Sequence, residues 1–202
     1  ENDEEGGPSS PAAAAAEEGE AGSGGEEEDE EDLMTPKDAV TAELRDYLAA
    51  NPTAAAADVV TTLRDKQASK IMPLKECAYI ALDVLFDEAI VSEGQVAKHS
   101  AVLQTLAETD ANGFMARHII GALELFFGQR FPDLAKAFPL VLKQLYDQDV
   151  LDEDFILAWA DAGITYDFSP SELTGDALKS LRATAEPFVV WLREAEEDDD
   201  ED

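Results

Sequence analysis

The sequence predicts an all-α domain built as a stack of antiparallel helical hairpins, and three observations predict it. Between Thr35 and about residue 197 the apolar residues recur at three- and four-residue spacing and nowhere form a convincing alternating strand pattern. Cap and turn signals fall at near-regular intervals, so that hairpins start near Pro36, Leu74, Gly113 and Asp152, separated by 38, 39 and 39 residues. Both ends of the 202-residue chain are saturated with acids, which confines the hydrophobic core to the segment between them.

Residues 1–34 combine Gly, Ser, Pro, an alanine run and the block EEEDEED, too little apolar surface to offset the entropy of ordering. A disordered acidic linker is expected there. The glycines at 6, 7, 19, 22, 24 and 25 have no lysine close behind them and are spacers rather than a phosphate-cradling loop. Order is expected from Thr35-Pro36, a capping hydroxyl before a proline at the first helical position, with Asp38 in the first turn. That helix should run to about Ala50 and stop at Asn51-Pro52.

Val59 and Leu63 then mark one helical segment, and Leu74, Ala78, Ala81, Leu82, Leu85 and Ala89 mark the next. Ser92 is placed to cap a helix reaching about Thr109, and Asp110-Ala-Asn-Gly113 reads as a turn. Phe114 to Gln129 is apolar on more than one face, so this helix should be buried between neighbours. The hairpin spacing is close to the roughly 40 residues of HEAT-type helix pairs, giving a HEAT-type α-solenoid over 35–197 and an acidic tail over 198–202.

Charge narrows the function. The formal net charge is -32, but residues 1–32 hold fourteen acids and no base and residues 194–202 hold eight acids and no base, leaving twenty-four acids against all fourteen bases in the middle. Such a balance argues against direct binding of nucleic acid, which needs lysine and arginine on the phosphates, and favours basic proteins as partners. Cys77 is the single cysteine, so no internal disulfide forms, and a reducing cytoplasm suits the chain. No apolar run approaches the roughly 20 residues of a membrane span, and no signal segment opens the chain. The chain begins at Glu1 without a methionine and is expected to be a piece of something longer.

Catalytic chemistry is not expected. His99, His118 and Cys77 form no close metal-ligand pair and read as structural. DQDVLDEDF, from Asp147, has the acid density of a calcium loop but places Leu151 fifth and Asp152 where the sixth-position glycine is needed. Arg117 and Arg130 are more readily helix caps or surface ion-pair partners than arginine fingers. No cofactor is called for.

Two segments carry the functional signal. LYDQDVLDEDFILAW, Leu145 to Trp159, joins an acidic turn to a helix bearing Phe155, Ile156 and Trp159. EPFVVWLREAEEDDDED, Glu186 to Asp202, sets Phe188, Val189 and Leu192 on helical spacing beside Trp191 and runs into acid. Trp159, Phe188 and Trp191 are expected to be core residues, Trp191 largely packed, fixing final helices that present carboxylates to lysine-rich partners.

These two boxes, with LKECAYIALDVLFDEAI and ARHIIGALELFFG between them, resemble the two-tryptophan HEAT domain that ends eukaryotic translation initiation factor five, over about residues 35–197. The resemblance implies a non-enzymatic module that binds lysine-rich boxes in the beta subunit of initiation factor two, contacts initiation factors three and one in the ribosomal preinitiation complex, and is cytoplasmic. By position, the implied surface comprises Asp152, Glu153, Asp154, Glu194, Glu196, Glu197 and Asp198, supported by Trp159, Phe188 and Trp191. The family's GTPase-activating arginine and zinc ribbon belong to a domain outside this sequence. Similar domains occur in the epsilon subunit of factor two B, where the role is nucleotide exchange, and an acidic chaperone of basic proteins is a further alternative. Factor two B is also a candidate partner.

A second patch gathers Arg64, Lys66, Lys70 and Lys75. It reads either as surface charge pairing with Asp65 and Glu76 or as a docking face for an acidic partner.

Overall fold

The computed structural model describes residues 34–199, with side chains as far as residue 195. Apart from Met34, the expected linker lies outside the described residues. So do the side chains of Glu196, Glu197 and Asp198 and everything beyond Asp199.

Eight α-helices make up the described residues: α1 (Pro36–Ala50), α2 (Ala56–Ser69), α3 (Glu76–Leu85), α4 (Gln95–Ala107), α5 (Phe114–Leu125), α6 (Phe138–Asp147), α7 (Glu153–Ala162) and α8 (Gly175–Asp199). The first helices of successive pairs pack in one row, α1 on α3, α3 on α5 and α5 on α7. The second helices pack in another, α2 on α4, α4 on α6 and α6 on α8. Two rows of helices stacked in this way are the solenoid that the hairpin spacing implies. No described helix is long and apolar enough to cross a membrane.

The local signals act largely as the residues dictate. The Thr35 hydroxyl oxygen accepts the Asp38 amide at 3.1 Å, and Pro36 occupies the first turn. At the other end Asn51 returns its side-chain amide to the Tyr47 carbonyl at 2.9 Å before Pro52 prevents continuation. α1 buries Val40 and Leu44, α2 buries Val59, Val60 and Leu63, and α3 buries Cys77, Ala78, Ile80, Ala81, Leu82 and Leu85. Leu74 and Ala89 depart from the expected pattern, the first exposed ahead of α3 and the second in the turn after it.

Ser92 does not cap α4. Its hydroxyl donates back to the Ala89 carbonyl, and the cap position is Gly94, at φ +60°. The reason lies in Gln95, buried at the head of α4, whose amide accepts from the Asp87 backbone N–H and donates to the Asp87 carboxylate. This closes the 87–94 loop and lets the helix start only where the chain has passed through a left-handed residue.

At the next junction Asp110 accepts the backbone amides of Asn112, Phe114 and Met115 at 2.7 to 3.1 Å and so caps α5 from outside it. Gly113, at φ +68°, sits under the Phe155 ring, and an added Cβ would lie 2.3 Å from it. α5 is buried on several faces, as its composition implies, and buries even Glu124. Its expected continuation to Gln129 is helical but wider: Phe126–Arg130 form a π turn, which leads Arg130 back to an ion pair with Asp83. Asp83 also holds Arg45 at 2.7 Å. Arg130 is thus a surface pairing residue, and Asp83, holding both arginines, links the first three hairpins.

Candidate interaction surface

Antiparallel alternation brings the three loops joining successive hairpins, residues 70–75, 108–113 and 148–152, to one edge of the stack, together with the C-terminal end of α8. This edge carries most of the residues picked out by sequence, and the charge changes along it.

The acidic part begins between the second and third loops. Glu108, Asp110, Asp149 and Asp152, with Gln104 and Phe155, line a cleft of about 250 Å³. Burial raises the Asp110 pKa, but the three backbone amides it accepts outweigh that and hold the carboxyl below its usual range. Asp149 takes a left-handed φ of +52°, and Gln104 donates to the Gln148 carbonyl at 2.6 Å, tying the third loop to α4. Asp152 and Asp154 are exposed and Glu153 is half-buried at the start of α7, where the helix dipole favours acids. Glu194 is exposed near the end of α8. Glu108 and Asp110 were not singled out by sequence because they come from another hairpin, and only their closeness in space joins them to the 147–154 box.

The two tryptophans have different surroundings. Trp159 is 1% exposed. Its indole N–H donates to Glu124 at 2.8 Å, and Glu124, with no exposed surface, also accepts from the Ser169 hydroxyl and pairs with Arg182 at 2.7 Å. Arg182 donates to the Trp159 carbonyl and to Ser169 Oγ and stacks over the Trp159 ring, 4.6 Å from its centroid. One carboxylate therefore ties α5, α7, the 163–174 segment and α8 together. Burial lowers the Arg182 pKa, opposed by Glu124 beside it.

Trp191 is not the packed residue that its spacing suggested: it is 44% exposed. The inward face of α8 is made by Leu181, Ala185, Phe188, Val189 and Leu192. At roughly 100° per residue, Trp191 stands more than a quarter turn from the middle of that face. Its ring stacks on Phe188 at 5.9 Å and meets the edge of Tyr146 at 6.3 Å. The Lys143 ammonium lies 5.4 Å from its centroid. Arg193, two residues on, fastens α8 to α7 through Asp161 at 2.5 Å. Sequence reasoning passed over Lys143 and Glu124, charges in largely apolar helices whose aromatic contacts, Trp191 and Trp159, lie in other helices.

The basic part of the edge lies at the first loop. Arg64, Lys70 and Lys75 are exposed there, beside Ile71, which is 92% exposed at φ +54°. The expected pairings with Asp65 and Glu76 do not form: Lys66 pairs with Glu43 at 2.6 Å, and Glu76 pairs with Lys37 at 3.1 Å. Lys66 is therefore engaged within the first hairpin. His118 lies between the two signs of charge; burial lowers its pKa, Lys75 adds to that, and Asp110 and Glu76 oppose it. Cys77 and His99 are also structural, the thiol pushed up to about 11 by burial and the imidazole meeting Phe86 edge-on at 6.3 Å. Arg117 spreads its guanidinium over Phe114, Phe155 and Phe168.

A helical-hairpin solenoid whose last pair carries an acid-flanked aromatic face defines a protein-interaction domain. Residues 115–202 match the family model described as W2: eIF4-gamma/eIF5/eIF2-epsilon. The chain is 35% identical over 118 residues to eukaryotic translation initiation factor 5 of Saccharomyces cerevisiae, covering 58% of this chain and 27% of that protein. With the Caenorhabditis elegans protein of the same name it is 25% identical over 142 residues, 70% of this chain and 31% of the relative. A solved structure, the C-terminal domain of translation initiation factor 5 at low pH, superposes with a TM-score of 0.59 at 27% identity over 80% of this chain and 95% of that one. Residues 115–202 are thus similar to the W2 family, and the fold is similar to that of the C-terminal domain of initiation factor 5; the chain spans about a third or less of the length of these curated relatives.

Proposed function

We propose that this domain is a non-enzymatic assembly module of translation initiation that binds lysine-rich segments of the beta subunit of initiation factor two and contacts initiation factors three and one in the ribosomal preinitiation complex, in the cytoplasm. The observation that carries this reading is the acidic edge beside an exposed tryptophan. Asp152, Asp154 and Glu194 are open to solvent there, and Trp191 offers a half-exposed aromatic surface. Lysine side chains suit both features, an ammonium for the carboxylates and an aliphatic stem for the aromatic rim. Glu153, Glu196, Glu197 and Asp198 complete the proposed acidic set, and the basic edge of Arg64, Lys70 and Lys75 is proposed to dock an acidic partner.

The test is calorimetric titration with a lysine-rich segment of the factor-two beta subunit against a scrambled segment of equal charge. The combined change Asp152→Asn, Asp154→Asn and Glu194→Gln is expected to weaken binding at least tenfold, or about 1.4 kcal/mol. Affinity should fall as salt shortens the Debye length from about 10 Å at 0.1 M to about 3 Å at 1 M. Equal binding of the scrambled segment would favour a general chaperone of basic proteins instead.

A further inference from the structure

Lys143 stands in a place that a ligand would occupy. Its ammonium is 2.7 Å from both carboxylate oxygens of Asp147, one turn further along α6, and 5.4 Å from the centre of the Trp191 ring. Phe188 stacks on the same indole at an interplanar angle of 19°, and Tyr146 closes the edge at 81°. Carboxylate and indole thus bracket one primary ammonium, and the Tyr146 ring borders the indole. The arrangement is held loosely: the Lys143 and Asp147 side chains are 41% and 45% exposed. An exposed pair of this kind is weak and opens readily in water.

We infer that Asp147, Trp191 and Tyr146 form a subsite for a lysine side chain of the basic partner, and that in the free domain Lys143 fills it as an internal stand-in. The inference rests on the proposed function and adds to it a specific site and a built-in competitor. A partner lysine would take the Asp147 carboxylate and the Trp191 face only after Lys143 has swung into solvent, so the domain selects against weak basic ligands that cannot displace it. Asp147 lies outside the acids implied by family resemblance, and Lys143 is a base on a face that otherwise attracts bases.

The experiment uses the full chain and a synthetic peptide of alternating lysine and serine. Lys143→Ala is compared with Lys98→Ala, an equal change of charge at an exposed position on α4, by calorimetric titration. Lys143→Ala should tighten binding by about fivefold over the Lys98→Ala control, within the range of an aromatic-cation contact released for the ligand. The gain should vanish in the Lys143→Ala, Trp191→Ala double variant, which separates use of the subsite from removal of a repulsive charge. Lys143→Gln, with similar bulk and no charge, should reproduce the gain and guards against a folding defect in the alanine variant. If the parent binds and Lys143→Ala is no tighter than Lys98→Ala, or if the gain survives loss of Trp191, the subsite is overturned while the acidic edge stands. If neither the parent nor any variant binds the peptide, the proposed function fails as well.

Discussion

Trp159 and Trp191 lie thirty-two residues apart in adjacent helices, both next to acids, yet one is a structural anchor and the other is a surface. Trp159 faces a buried carboxylate that it shares with Arg182 and Ser169, so every polar atom it brings into the core finds a partner. Trp191 meets no buried charge; it leans on Phe188 and Tyr146 and leaves much of its ring to solvent. The difference teaches that an aromatic beside acids has no fixed role. A carboxylate from another element, here Glu124 of α5, makes the tryptophan part of the scaffold, and a carboxylate on the open edge leaves it available for contact.

The comparison can be broken most directly at the anchor. Trp159→Ala should cost about 3 to 5 kcal/mol by emptying a fully packed site, a loss read from chemical unfolding. Glu124→Gln comes next, at about 3 kcal/mol, because it leaves the buried Arg182 guanidinium without its counter-charge. Gly121→Ala sharpens the same region: an added Cβ would stand 2.0 Å from the Phe168 carbonyl oxygen, so α5 must retreat from the 163–174 segment. Its expected cost is about 1 to 3 kcal/mol, and unchanged stability would mean that this segment is not pressed against α5.

The smallest expected effect concerns pH. His118 is held below its usual value of 6.5, first by burial and then by Lys75. The unfolded chain therefore binds this proton more readily, and the stability tied to the neutral ring is present above 6.5 and lost as pH falls through the depressed value. His118→Gln should flatten the stability-pH curve below about pH 6.5, although His99, depressed by burial as well, keeps part of the slope. An unchanged slope would remove His118 from the account.

Much of the fold can be read from the sequence, since caps and hydrophobic spacing are local. Thr35, Pro36 and Asn51 bound α1 because each acts on backbone within four residues of itself. Ser92 misleads because its competitor, the Gln95–Asp87 bond, depends on a loop closing. Of the surface, the acids at 152–154 and 194 are visible as composition, whereas the cleft that Asp152 shares with Glu108 and Asp110 exists only once hairpins stack. Trp191 shows the limit most clearly. Helical spacing places it near the apolar face, but whether it is covered depends on how far α6 reaches, which no residue of α8 encodes.

The central claim is that stability and partner contact reside in different tryptophans, and Trp191→Ala measured in one purified protein by thermal unfolding and calorimetric titration tests it. A half-exposed ring should cost less than about 2 kcal/mol of stability when removed, while affinity for the lysine-rich segment of the factor-two beta subunit falls about tenfold or more. Loss of stability on the scale of Trp159→Ala, or affinity equal to that of the parent, would contradict it.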